Sequence, residues 1–206
     1  LYYRGNIDIL NEHKSIAVVG SRKISAVGAK LAYNAGSIIG KNGFNLVNGL
    51  ALGCDAEALK GALAAGGKCA VVLPCGINEI YPKSNQWIAE EVLKQGGCLI
   101  SEYPEGTRPE KYRFVQRDRL QSGMSQGVLV VEAMEKSGTM HTAEYAKKQN
   151  RRLACYYHGL LKYSTGNNVL ENLYQAAVIK TNEDLENYLC EIADIEEYTQ
   201  LSFDFV

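Results

Sequence analysis

The sequence lacks most of the short motifs that identify an enzyme or a metal protein. Its six cysteines include no C-x-x-C pair, so it offers neither a zinc ribbon nor a thioredoxin motif. The three histidines are scattered and show no H-E-x-x-H spacing, so no metal site is predicted. There is no G-x-S-x-G elbow and no defensible pair of catalytic carboxylates. These absences favour a binding protein over an enzyme.

Long apolar runs are also missing. No run approaches the roughly 18 residues that a membrane-spanning helix needs, and nothing at the beginning of the chain resembles a signal peptide. Without C-x-x-C pairs, the cysteines are best explained as small buried hydrophobic residues in a reducing compartment, and we expect a cytoplasmic protein. The sequence begins with Leu1 rather than methionine, so we expect that an upstream piece is missing.

Charge is nearly balanced overall but unevenly distributed. The formal net charge of −1 gives the whole molecule no general attraction to nucleic acid. Residues 108–119, however, contain five bases and two acids, whereas residues 183–197 contain seven acids and no base. A local basic patch of this kind can bind a polyanion even when the net charge is near zero.

Strand-like and helix-like segments alternate along the chain. The strand-like runs are continuously apolar, which is typical of strands buried on both faces of a parallel sheet. They are followed by helical patterns, and we therefore predict an α/β fold with a doubly wound, mostly parallel sheet and helices on both faces. The predicted strands are 16–19, 45–47, 69–73, 98–101, 128–131, 153–157 and 178–179, and the predicted helices are 25–42, 55–65, 84–95 and 139–150. Residues 103–125 are predicted to form a long connection that carries the basic cluster.

Three glycine-rich turns each follow an apolar run and open a helical stretch. They are Gly20-Ser21-Arg22, Gly49 to Gly53, and Ser137-Gly138-Thr139. Such a turn lets the backbone approach a ligand, and the N–H groups of the following helix favour negative charge. In open α/β sheets ligands bind at the carboxyl ends of the strands, where these turns must lie, so we predict phosphate binding there. The alternative is that they are ordinary tight turns and helix caps, with Asp55 as an N-cap.

Cations stand close to these turns. Arg22 is expected to contact a phosphate, and Lys83, at a predicted loop-to-helix junction, is expected to project near the same edge. Arg117 and Arg119 flank Asp118, and we expect one of them to point outward while the other pairs with that carboxylate. The full G-x-G-x-x-G pattern is absent, so no nicotinamide or flavin cofactor is predicted.

Taken in order, these segments resemble the DNA-processing protein A family (DprA/Smf) over roughly residues 1–188. The G-S-R turn at 20–22 follows the first strand, and 48–55 is similar to the family's S-G-L-A-x-G-I-D block. Further similarities lie at 80–85, at 101–106, at 114–125 (F-P-x-R-N-R-I-I-A-G-L-S) and at 130–142 (V-V-E-A-x-x-x-S-G-[ST]-L-I-T). The sequence departs from the family pattern at Leu59, Val115, Asp118 and the pair Met140-His141.

The resemblance implies an extended Rossmann-like domain over 1–190 that forms a homodimer. It also implies a protein that binds single-stranded DNA without sequence preference and assists loading of a RecA-type recombinase. By position, Arg22 and Lys83 would contact backbone phosphates, with Arg117 and Arg119 as weaker candidates. The residues of the glycine turns complete this expected site, and Tyr81, Tyr103 and Tyr112 are candidates for stacking on bases.

The remaining segment, 191–206, is predicted to be an acidic C-terminal tail. Its Gln200 to Phe205 stretch is similar to peptides that dock on the bacterial sliding clamp, with Phe203 in place of the usual leucine. The alternative is a tail that packs on its own domain or on a partner subunit.

Two other functions fit the same core. The LOG-like phosphoribohydrolases carry a catalytic glutamate in their P-G-G-x-G-T-x-x-E motif, and Thr142 occupies that position here. A small-nucleotide sensor would bind a mononucleotide at the Gly20 and Gly138 turns.

Overall fold

A single mixed sheet of eight strands organises residues 1–194, which are the residues that the computed structural model describes. The strand order is β1-β5-β4-β3-β2-β6-β7-β8, with β1 antiparallel to β5 and the other neighbours parallel. The predicted α/β, mostly parallel architecture is confirmed. The strands are Tyr2–Gly5 (β1), Ser15–Val19 (β2), Asn45–Asn48 (β3), Cys69–Leu73 (β4), Cys98–Ser101 (β5), Gly127–Val130 (β6), Arg152–Tyr156 (β7) and Ala177–Ile179 (β8).

Eight α-helices are found in the same part of the chain. The Ser25 hydroxyl begins α2 by accepting a hydrogen bond from the Gly28 N–H at 3.0 Å, and Gly43, at φ +76°, follows its end. The helices are Ile9–Glu12 (α1), Ala26–Lys41 (α2), Cys54–Ala64 (α3), Gln86–Lys94 (α4), Lys111–Gly123 (α5), Thr139–Lys148 (α6), Thr165–Tyr174 (α7) and Asn182–Ala193 (α8). None of these helices is long and apolar enough to span a membrane.

Two apolar layers lie on the two faces of the sheet. Alternate residues of one strand enter different layers: Ile16 packs in the first, and Ala17 in the second. The first layer includes buried residues of α2, α3, α4 and α8. The second includes buried residues of α6 and α7, and the partly buried Leu120 of α5 packs against it. Because both faces are covered, the central strands β2, β3 and β4 are buried at every position, which is why their sequence shows no alternation of apolar and exposed polar residues.

The cysteines belong to this packing. All but Cys190 are buried and every one is a free thiol. Burial raises the pKa of the Cys69, Cys98 and Cys155 thiols to about 12, so these groups stay protonated and unreactive at neutral pH. The interpretation of these three cysteines as small hydrophobic residues is confirmed.

The prediction of a long connection over 103–125 is wrong, because α5 occupies most of it. The buried side of α5 is polar: it consists of Arg117, Asp118, Gln121 and Ser122. A helix that buries polar side chains has no apolar periodicity in its sequence, so the usual signal is missing. The edge strand β1 was missed for a related reason, since all four of its residues are exposed.

The order of the strands creates a crevice next to β2. From β2 the chain proceeds through β3, β4 and β5 on one side, then returns to place β6 on the other side of β2. The loops that leave β2 and β6 therefore run to opposite faces of the sheet. Such a switch point, at the carboxyl ends of the strands, is where open α/β sheets bind their ligands.

Candidate nucleic-acid interface

A cleft of about 630 Å³ opens at this switch point, and we call it the switch cleft. The turn after β2 forms one wall and the turn that begins α6 forms another, with α5 alongside. The structure thus brings together two of the predicted glycine turns, since all six of their residues line the cleft. These are Gly20, Ser21, Arg22, Ser137, Gly138 and Thr139. The remaining turn reaches the cleft through Ala51 and is followed there by Asp55.

Close packing between the first two turns explains their glycines. Gly53 has φ +75°, and a Cβ there would lie 2.5 Å from the Ser21 carbonyl oxygen. A Cβ at Gly20 would lie 2.7 Å from the Cys54 sulfur. The Cys54 N–H also donates to the Ser21 carbonyl at 3.1 Å. The glycines therefore allow the two turns to dock, and this contact sets the position of the adjoining Arg22.

Arg22 is exposed at the mouth of the cleft and rests on an aromatic pair. Its guanidinium carbon lies 4.8 Å from the centroid of the Phe114 ring, a cation–π contact. The Phe114 ring in turn meets Tyr81 edge to face, with centroids 5.6 Å apart. An arginine held on a ring keeps its hydrogen-bond donors free for a ligand while its planar group is already oriented.

Arg117 lies beneath the cleft rather than on its surface. It is 5% exposed, and its Nη1 donates to the Val72 carbonyl at 2.6 Å. Its Nε lies 3.3 Å from Asp118 Oδ1, and a Cβ on Gly49 would overlap its guanidinium. Gly49 is therefore needed to make room for a buried cation. The sequence predicts that either Arg117 or Arg119 pairs with Asp118, and in the structure Arg117 does so.

The buried position of Asp118 disfavours the charged form of its carboxyl group. Burial raises the pKa of its carboxyl to about 6, although the neighbouring Arg117 guanidinium acts in the opposite direction. Gln121 donates to its Oδ1 at 2.9 Å. The carboxylate thus contacts Arg117 and Gln121, and its ionisation at neutral pH lowers the stability of the folded state.

Asp55 holds the second turn in place. One of its oxygens accepts hydrogen bonds from the Gly49 N–H at 3.0 Å and the Ala51 N–H at 3.2 Å. The interpretation of Asp55 as an N-cap is wrong, because Gly53 precedes the first helical residue, Cys54. Burial raises the pKa of the Asp55 carboxyl, and the Arg117 charge opposes that rise.

Two of the predicted cations lie outside the cleft. The Arg119 side chain points outward, 43% exposed, and forms a salt bridge with Glu102. Lys83 is exposed and lines a separate pocket of about 280 Å³ together with Arg4 and Glu90. The structure therefore does not bring Lys83 and Arg119 together with Arg22.

The tyrosines differ in what they offer a base. Tyr81 is 43% exposed and borders the cleft. Tyr103 and Tyr112 instead pack around Arg113, whose guanidinium carbon lies 4.9 Å and 5.3 Å from their ring centroids. These two rings therefore contact a side chain of α5 and do not line the switch cleft.

Sequence reasoning did not single out two residues that line the cleft, or a buried acid, Glu132, whose backbone carbonyl accepts from the Ser21 N–H at 2.7 Å. Lys111 lines the cleft as part of the basic cluster, and Phe114 supplies the ring beneath Arg22. Glu132 is fully buried, and its carboxylate accepts from the N–H groups of Ser25 at 2.7 Å and Tyr163 at 3.0 Å. A lone acid directly after an apolar strand was the available signal for Glu132.

The fold and the cleft together define a class of protein. It is a Rossmann-like α/β protein whose switch-point cleft is lined by Arg22, Lys111 and Arg117. Within residues 1–194 no cluster of three or more histidine, cysteine, aspartate or glutamate side chains is arranged to hold a metal ion.

Comparison with known proteins identifies the family within this class. The chain belongs to the DNA recombination-mediator protein A family, whose model matches residues 1–189. It is 38% identical to protein Smf of Synechocystis sp. over 154 residues, which are 73% of this chain and 38% of that protein. It is 35% identical to DNA processing protein A of Bacillus subtilis over 153 residues, which are 74% of this chain and 51% of that protein. The chain thus spans about half or less of these relatives.

A solved structure agrees with this assignment. DNA processing protein A of Helicobacter pylori, a protein that binds single-stranded DNA, superimposes with a TM-score of 0.83 at 29% identity. The match covers 92% of this chain and 86% of the other. The predicted family and the predicted Rossmann-like fold are therefore both confirmed.

Proposed function

We propose that this chain binds single-stranded DNA without sequence preference and holds the backbone phosphates in the switch cleft. The proposal rests mainly on the position of Arg22. Its exposed guanidinium is oriented by the Phe114 ring at the mouth of the switch cleft. Arginine in such a position binds phosphate oxygens through paired N–H donors. Contacts to phosphates position a strand but do not read its bases.

The charges of the cleft suit a polyanion. Arg22 and Lys111 are exposed cations, and Arg117 adds positive charge from below. The acidic side chains that share the cleft, Asp55 and Asp118, both interact with Arg117 or with backbone N–H groups. The amino end of α6, which begins at Thr139 in this cleft, adds a partial positive charge. Tyr81 and Phe114 supply aromatic surface on which a base can stack.

The family relationship supports this function. The Helicobacter pylori relative binds single-stranded DNA and shares the fold over nearly the whole chain. By the same relationship we propose that the protein acts in the cytoplasm, as a homodimer, and assists a RecA-type recombinase. The proposed clamp-docking peptide, Gln200 to Phe205, lies outside the described residues.

We further propose that the cleft binds without catalysing hydrolysis. The position of the glutamate in LOG-like phosphoribohydrolases is occupied by Thr142, which is buried and carries no acid. The carboxylate of Asp55 accepts two backbone hydrogen bonds from its own turn and holds the loop instead. Incubation with nucleoside monophosphates and chromatography for free base tests this proposal, and release of base above a no-protein control would overturn it.

The binding proposal is tested by Arg22→Glu, with Lys30→Glu as the matched control. Lys30→Glu changes the net charge by the same amount as Arg22→Glu. Lys30 is an exposed lysine on α2 that does not line the switch cleft, so its reversal leaves the site intact. We expect Arg22→Glu to raise the Kd for oligodeoxythymidine by about tenfold or more and the control to change it little. Equal affinity of Arg22→Glu and the wild type, measured by fluorescence anisotropy, would overturn the site.

The volume of the switch cleft, about 630 Å³, also lies in the range of small-ligand pockets. A nucleotide sensor would therefore bind a mononucleotide there. Titration with oligodeoxythymidine and with thymidine monophosphate, each at two salt concentrations, separates the functions. We expect the oligonucleotide to bind more tightly and with the steeper salt dependence, and tighter binding of the mononucleotide would favour the sensor.

A further inference from the structure

A strongly basic turn lies at the edge of the sheet opposite the switch cleft. Residues 147–152 contain Lys147, Lys148, Arg151 and Arg152 and no acid. The turn joins the end of α6 to the start of β7, so it lies at the amino ends of the strands. The helix dipole explains lysines in the last turn of α6. It does not explain the two arginines, which follow the helix.

These basic residues border a cleft of about 470 Å³, which we call the amino-edge cleft. Lys147, Arg151 and Arg152 line it together with Tyr174, and Glu191 is the single acid in its lining. The Lys147 ammonium lies 5.1 Å from the centroid of the Tyr174 ring. A groove that combines cations with an aromatic ring has the composition of single-stranded nucleic-acid sites.

The charges of this cleft are available to a ligand. Within residues 1–194 none of the four basic side chains of the turn forms a salt bridge. Arg151 is anchored by an Nη2 hydrogen bond to the Gly123 carbonyl at 2.8 Å. An anchored guanidinium loses less side-chain entropy when it binds an anion. Unneutralised cations in a concave surface concentrate the potential that attracts a polyanion.

We propose that the amino-edge cleft is a second binding site for the phosphodiester backbone of single-stranded DNA. It would be occupied by strands that are long enough to extend beyond the switch cleft. The switch cleft lies beyond the carboxyl ends of β2 and β6, and the amino-edge cleft lies at the amino end of β7. These strands have four or five residues, so roughly 15 Å of sheet separates the two edges. One strand of DNA can therefore contact both. This inference rests on the proposed function of the switch cleft.

The test compares a short and a long oligodeoxythymidine, of about 6 and 40 nucleotides, in the double variant Lys147→Glu/Arg152→Glu. The matched control is Lys30→Glu/Lys41→Glu, which changes net charge equally. It also removes a lysine from the last turn of a helix, in this case α2. Circular dichroism and thermal unfolding test whether both variants fold like the wild type.

For the 40-mer we expect the Lys147→Glu/Arg152→Glu variant to raise the Kd about tenfold. The slope of log K against log salt should fall by about 1.4, which corresponds to two phosphate contacts. The 6-mer should bind this variant and the control as it binds the wild type.

Three results would overturn the proposal. The first is an unchanged Kd of the Lys147→Glu/Arg152→Glu variant for the 40-mer. The second is a loss of affinity that is equal for the two oligonucleotides, or equal in the variant and in the Lys30→Glu/Lys41→Glu control. The third is competition by polyglutamate as effective as that by the 40-mer at equal charge, which would assign the cleft to an acidic protein segment. Failure of the proposed function looks different, because then the wild type itself binds neither oligonucleotide.

Discussion

The carboxyl of Asp118 permits a quantitative prediction of stability against pH. Its pKa is raised to about 6 from the ordinary value of 3.8, chiefly by burial. One pKa unit corresponds to about 1.4 kcal/mol, so the ionised carboxylate destabilises the folded state by about 3 kcal/mol at pH 8. Asparagine has nearly the shape of the protonated acid and carries no charge. Asp118→Asn should therefore stabilise the protein by up to about 3 kcal/mol at that pH.

The pH dependence follows from the direction of the change. Because the folded pKa is raised, the folded state holds a proton on Asp118 more tightly than the unfolded state does between pH 4 and 6. As the pH falls through about 6 towards 4, Asp118 becomes protonated in the folded wild type, and the destabilisation by its charge is lost. The difference in free energy of unfolding between Asp118→Asn and the wild type therefore disappears. Above about pH 7 the difference should be constant.

Urea unfolding followed by circular dichroism at pH 8, 6, 5 and 4 measures this difference. Asp8→Asn is the matched control, since Asp8 is exposed and its side chain makes no capping hydrogen bond. The control should show no comparable gain at any pH. Reduced stability of Asp118→Asn at pH 8, or a gain of equal size at every pH, would refute the reasoning. The first result would mean that the attraction to Arg117 outweighs the burial of the charge.

Two further changes test the packing around the site and the helix termini. Gly49→Ala should destabilise the protein by about 3 kcal/mol or more in urea unfolding, because a Cβ would displace the buried Arg117 guanidinium. Gly138→Ala, where no atom lies within 4 Å of the added Cβ, should be nearly neutral, and equal effects would contradict the argument. Thr181→Ala removes the hydroxyl that accepts from the Asp184 N–H at 3.2 Å, and it should lower stability by about 1 kcal/mol. Thr181→Ser should retain most of that stability, and a Thr181→Ala variant as stable as the wild type would show that the cap contributes nothing.

Much of the fold was predictable because burial on both faces leaves a direct trace in sequence. The apolar runs at 16–19, 69–73 and 98–101 became β2, β4 and β5 with little change in their bounds. The helix α5 could not be found in this way, since the side chains that it buries include Arg117 and Asp118. Their burial depends on partners that lie far away in sequence, such as the Val72 carbonyl.

The residues of the candidate site also fall into two groups, those that local sequence predicts and those that only tertiary contacts bring together. Local sequence alone identified the glycine turns at Gly20 and Gly138 and the cation at Arg22, because turn geometry and strand ends are set by neighbouring residues. Only the tertiary structure decided which of the predicted cations share a cleft. The order of the strands places β6 beside β2 and so joins two turns that are more than a hundred residues apart. The same packing places Arg117 under the cleft and leaves Lys83 outside it, because strand order and burial depend on contacts across the whole sheet.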